Sequence, residues 1–93
     1  MRELTIDDFR RYRGKEMVVE ANGGRLQLRL AQVNELPASG RQGGSFRLEF
    51  HGPLQPFLTQ GTYAFHVGSE RSGIFIVPLG PGTAGMRYEA IFY

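Results

Sequence analysis

Two histidines, a pair of adjacent carboxylates and a short run of cations are the residues of this chain whose types could do chemistry. His51 closes one alternating apolar segment and His66 lies within the next, so together they could begin a metal site. Antiparallel pairing of those two segments about the loop between them would set Thr62 near His51 and Arg47 near His66, holding the imidazoles apart. Zinc requires three or four converging ligands, and no third ligand has a fitting spacing, so the expectation is two surface histidines. Glu49, diagonal to His66 in that register, is expected to make an ordinary cross-strand contact. Asp7 and Asp8 could share a cation or a proton. They follow Thr5, however, where the first turn of a helix leaves N–H groups free, and capping accounts for them.

Arg10, Arg11, Arg13 and Lys15 could meet phosphate or an acidic surface, but the remaining cations are scattered. Their place near the end of the same helix suits its dipole, which argues against nucleic acid as a partner. The glycine-rich stretches 40–44 and 80–85 do not match the GxxxxGK[ST] phosphate loop and read as turns. Ser39, Ser45, Ser69 and Ser72 have no evident base, and no GxSxG elbow is present. The absence of cysteine excludes a thiol nucleophile, a thiolate metal site and a disulfide framework. The expectation is a protein that is not an enzyme, with no catalytic, cofactor-binding or metal-binding residue.

The elements that would position these groups are almost all strands. In Phe46-Arg47-Leu48-Glu49-Phe50 apolar and charged residues alternate, and Tyr63, Phe65 and Val67 alternate with Ala64 and His66, the period of a half-buried strand. Strands are expected at about 15–21, 25–36, 45–51, 62–67, 74–79 and 86–93. Asn22-Gly23-Gly24 supplies hairpin chemistry between the first two. In the second, Leu26, Leu28 and Leu30 share one face and Val33 falls on the other, which predicts a bulge near Ala31 and Gln32. Pro78 limits how far the fifth strand can pair on both sides. Before the strands, Thr5, Asp7, Asp8 and the staple pair Leu4 and Phe9 predict a helix over about 6–12, ended by Gly14 and too short to stand unless it covers one end of the sheet.

The predicted fold is therefore all-β: a six-stranded antiparallel meander closing as a small barrel or sandwich, with one short N-terminal helix, in a single domain over 1–93. The fifth strand is apolar on both faces, Ile74 and Ile76 one way, Phe75 and Val77 the other. In the sixth, Ile91 and Tyr93 oppose Met86, Tyr88, Ala90 and Phe92. That second face requires a cover. The helix is the preferred one, with Phe9 meeting Ile91, Phe75 or Val77; a second copy or another protein is the other candidate. The loop 37–44 is expected to be the most mobile part. In the loop 52–61, Leu54, Phe57 and Leu58 either tuck under as a lid, the preferred reading, or await a partner.

Net charge is +2, with seven Phe, four Tyr and thirteen Gly. No run reaches membrane-span length and the start lacks a signal-peptide core, so a cytoplasmic, soluble product is the expectation. The order LTIDDF, LRLAQV, FHGP, LTQGTYAF, IFIVPLGPG and YEAIFY resembles a small bacterial family of uncharacterised domains of about this length. The best marks are Thr5, Asp8, Phe9, Gly52-Pro53, Gln60 to Tyr63, Pro78 and Tyr88 to Ala90. The resemblance implies no activity and no catalytic residue. Because members resemble products encoded beside phage-tail-collar-like proteins, it implies an accessory or assembly role. Taken with the residues, this gives a protein-interaction domain that binds a protein partner or itself through Leu54, Phe57 and Leu58. The alternative is a small barrel taking an apolar or aromatic ligand at a rim of Tyr63, His66 and Arg47.

Overall fold

A computed structural model describes residues 3–37 and 44–93. Among these, one helix and six strands are arranged as α1 (Asp7–Arg10), β1 (Glu16–Ala21), β2 (Gly24–Glu35), β3 (Phe46–Gly52), β4 (Gly61–Val67), β5 (Glu70–Gly82) and β6 (Gly85–Phe92). The strands are antiparallel and close a barrel in the order β1-β2-β3-β6-β5-β4. The six-stranded barrel with a short helix is thus as the alternation indicates. The meander is not. β3 pairs with β6 over Phe46↔Phe92 to Gly52↔Met86, and β4 pairs with β1 at Val19↔Phe65 and Glu20↔Ala64. β3 and β4 therefore stand on opposite sides of the ring.

Two contacts between residues distant in the chain favour this order. At Gly85 (φ +110°) an added Cβ would run into the carbonyl oxygen of Gly52, so a hydrogen there lets the start of β6 close on the end of β3. The connection 53–60 also crosses the barrel mouth instead of turning tightly, and it carries Leu58 into the core at 1% exposure. The Leu58 amide donates to the Tyr88 hydroxyl at 2.8 Å.

Within the ring, β1-β2-β3 and β4-β5-β6 are two similar three-stranded meanders. Each has a long central strand shared between its neighbours. β2 pairs with β1 over 24–29 and with β3 over 29–35, and its register slips between Leu30 and Gln32, as the parity change predicts. β5 pairs with β4 over 70–76 and with β6 over 77–82, slipping between Pro78 and Gly80. The handover one residue before Pro78 is the limit that proline's missing N–H imposes. Tight turns join β1 to β2 and β4 to β5: Asn22 and Gly23 both have positive φ, and Gly68 has φ +63°. β5 extends well beyond the expected 74–79, because the polar residues 70–73 continue the ladder with β4.

Inward side chains fill the barrel. Met17, Val19, Leu28, Leu30, Phe46, Leu48, Phe50, Phe65, Val67, Ile74, Ile76, Tyr88 and Ala90 are buried, and the Phe50 and Phe65 rings lie 5.0 Å apart. α1 closes the end opposite the 53–60 crossover. Phe9, fully buried, sits 5.8 Å from Phe46 and 5.6 Å from Phe92, whose own rings stack at 4.5 Å. The Tyr12 hydroxyl accepts the Gly68 amide at 2.7 Å, tying the residues after α1 to the β4–β5 turn.

The helix is shorter than expected and capped differently. Ile6 occupies the N-cap, and Asp8 reaches back to accept the Thr5 N–H at 2.7 Å and the Thr5 hydroxyl at 3.3 Å. Thr5 is thus the donor, not the cap. Gly14 has the expected positive φ. Residues 38–43 of the loop expected to be most mobile lie outside the described residues.

Tyr88 is the hinge between crossover and core, and burial pushes its hydroxyl pKa up. Tyr88→Phe leaves the Leu58 N–H buried and unbonded, with an expected loss of about 1–3 kcal/mol in urea unfolding. Tyr63→Phe, whose hydroxyl donates to the exposed Thr59 carbonyl, is the control and should fall within about 0.5 kcal/mol.

Candidate interaction face

The outward residues of β3 and β6 meet in rows fixed by register: Arg47 opposite Ile91, Glu49 opposite Glu89, and His51 opposite Arg87. Glu49 faces a like charge, which alone is unfavourable. Arg47 resolves it, with Nε donating to Glu89 and Nη2 donating to Glu49 Oε1 at 2.7 Å. Arg87 holds Glu49 from the other side through Nε at 3.0 Å and Nη2 at 3.2 Å, and His51 Nε2 lies 2.8 Å from Oε2. Glu49 is only 3% exposed although it points away from the core. Arg87, then Arg47 and His51, hold its carboxyl well below the usual range against the opposing effect of burial. Each carboxylate oxygen already accepts twice, so this is a closed ion-pair network and not a poised base.

A second carboxylate cluster lies across the seam that closes the ring. Glu20 on β1 accepts from Arg71 on β5 through two bonds of 2.8 Å and contacts His66 on β4 at 2.7 Å. Arg71, then His66, lower the Glu20 pKa to about 2. β1 and β4 share only two register pairs, so this clamp reinforces the thinnest part of the barrel.

The expected histidine geometry is corrected by these contacts. β3 and β4 are not neighbours, His51 pairs with Glu49 on its own strand, and His66 with Glu20. Nor do Tyr63, His66 and Arg47 form a common rim, since Arg47 lies on the far side of the ring. Arg10 is engaged by Asp7 at 2.8 Å and Glu35 at 3.3 Å, while Arg11 stacks over the Tyr12 ring at 5.2 Å.

The apolar outer face has a different outcome from the one expected. Phe9 turns into the barrel end, fully buried, and its ring partners are Phe46 and Phe92 rather than Phe75. Phe75, Val77, Ile91 and Tyr93 instead line an open groove of about 150 Å³ beside Glu89. Phe75 is 51% exposed, Ile91 38% and Tyr93 83%. Of the three loop residues singled out in the sequence, Leu54 and Phe57 are exposed, while Leu58 is the buried anchor of the crossover and cannot meet a partner. The Arg47–Glu49–Arg87–Glu89 network escapes sequence reasoning because its members come from strands that are distant in the chain. Alternation marks them as outward-facing, but only the β3–β6 register brings them together.

A closed β-barrel with an Arg–Glu network on the outer face of β3 and β6 and an apolar groove beside it defines a small all-β module. The chain belongs to the family described as Domain of unknown function (DUF6916), whose model matches residues 4–92. Neither the curated proteins nor the solved structures include a match. Among the described residues no helix is long and apolar enough to cross a membrane.

Proposed function

We propose that this domain is a non-enzymatic protein-interaction or assembly module that meets its partner through the outer face of β5 and β6. The observation that carries the reading is the exposure of Phe75, Ile91 and Tyr93 around one groove, where no described element provides a cover. Exposed Leu54 and Phe57 offer a secondary contact at the crossover end. The carboxylates that could serve as bases are held by arginines, which supports binding over catalysis. A ligand inside the barrel has less support, because buried side chains fill it. The setting we infer, an accessory role beside phage-tail-collar-like proteins in a bacterium, draws on the sequence resemblance.

Ile91→Asp and Phe75→Ser test the reading because both sites are on the outer surface. The wild-type domain should recover a stoichiometric protein partner from its native host. Each variant should keep its circular dichroism spectrum and lose that partner at least tenfold. Full recovery by both folded variants would remove the proposal.

A further inference from the structure

We infer that the β5–β6 groove takes a short extended segment of a partner protein, apolar at alternate residues and carrying a Lys or Arg beside them. This rests on the interaction reading above and narrows it to one kind of occupant.

The groove lies where two strands stop sharing a ladder. Register pairs join β5 to β6 from Gly82↔Gly85 to Val77↔Glu89 and no further, although β5 runs on to Glu70 and β6 to Phe92. Over residues 70–76 β5 is registered with β4 alone, and Ile91 is registered with β3 alone. An extended chain suits such a place because its side chains alternate with the same period as the groove wall, where Phe75 and Val77 are two residues apart on one strand and Glu89 and Ile91 on the other, with Tyr93 just past its end.

Size weighs against the other occupants. With a fully exposed aromatic side chain taken as about 200 Å², the exposed apolar surface here is roughly 300–400 Å². A stable pair of copies needs about 800 Å² from each. An isologous pair would also bring Glu89 onto a matching face that offers no free cation, since Arg47 is already held by Glu89 and Glu49. At about 150 Å³ the groove is smaller than the roughly 300–1,000 Å³ of small-molecule sites. Charge sets the remaining preference. Glu89 is the one carboxylate in the wall, and among the described residues only Arg47 bonds it, through Oε2. Its Oε1 is available to a cation brought by the segment.

The test is selection of a displayed random eight-residue peptide library on the immobilised full chain, with Ile91→Asp and Tyr93→Ser proteins as counter-targets. Enriched peptides should carry apolar residues two apart with a flanking Lys or Arg, and should bind both variants at least tenfold more weakly. Their addition to isotope-labelled protein should shift amide signals of residues 73–77 and 89–93. Replacement of the peptide's basic residue by Glu should weaken binding at least fivefold. No enrichment, enrichment without alternation, or binding unchanged by both variants would overturn the inference. If the library fails while Ile91→Asp still loses a whole-protein partner, only the extended-segment inference falls. Dimerisation of the wild type that Ile91→Asp abolishes would replace the segment with a second copy.

Discussion

Glu49→Ala should destabilise the domain by about 3 kcal/mol, close to the lower end of what breaking a buried ion pair costs. The substitution removes the acceptor of Arg87 and of His51 and one of the two carboxylate acceptors of Arg47, which keeps Glu89, Gln32 and Asn34. Arg87 is 40% exposed in its side chain and can turn to water, which moderates the loss; Arg47, at 20%, has less freedom. Glu49→Gln preserves volume and part of the acceptor set, so it should fall between wild type and alanine. Urea unfolding at neutral pH reads all three.

The same carboxylate sets a pH dependence. Glu49 and Glu20 both have pKa values lowered in the folded protein from an ordinary value of 4.5. Between that value and about pH 2 the unfolded chain therefore binds more protons, and stability must rise with pH across this window. The contribution is complete above about pH 4.5 and shrinks as pH falls, the share of Glu20 being lost near pH 2 and that of Glu49 lower still. Glu49→Ala should flatten the slope there while Glu20 retains its share. An identical acid slope in wild type and Glu49→Ala would show that Glu49 is not held by its arginines in the folded state.

What could be read from sequence depended on how local each cause is. Alternation in Phe46 to Phe50 and Tyr63 to Val67 specifies strand and facing without reference to any partner, and the slip from Leu30 to Val33 reveals a bulge by parity alone. Gly14 and the Asn22-Gly23 turn are equally local. Ring order is not. Whether β3 turns back to β4 or hands over to β6 depends on Gly85 meeting Gly52 across more than thirty positions of chain, and on Leu58 being drawn over the mouth. The candidate face divides in the same way. That Phe75, Val77, Ile91 and Tyr93 need a cover follows from strand periodicity, but that α1 goes to the barrel end depends on the Phe46–Phe92 pair, which exists only once β3 and β6 are neighbours. The similarity of the two three-stranded halves is likewise hidden, because matching positions such as Leu30 and Ile76 share burial and not identity.

Phe9→Ala should be the most damaging single truncation at the helix end, with an expected loss of about 3–5 kcal/mol, the usual range for deleting a fully buried phenyl ring. Against the roughly 5–15 kcal/mol of a typical domain, that is a large share of the total. The loss has two parts. The cavity strips the Phe46 and Phe92 rings of a neighbour at 5.8 and 5.6 Å. In addition, a four-residue helix has no independent stability, so without its anchor α1 should detach. Hydrogen exchange separates them: in Phe9→Ala the amides of Arg10, Tyr12 and Gly68 should exchange much faster, since Gly68 depends on the Tyr12 hydroxyl. Amides at the β5–β6 turn, near the opposite mouth, should change only with global stability. Phe9→Leu keeps most of the volume and should cost less than half as much, with α1 still protected. If Phe9→Ala costs under 1 kcal/mol, the helix does not close the barrel, and the groove lined by Phe75 and Ile91 loses its standing as the face that α1 leaves uncovered.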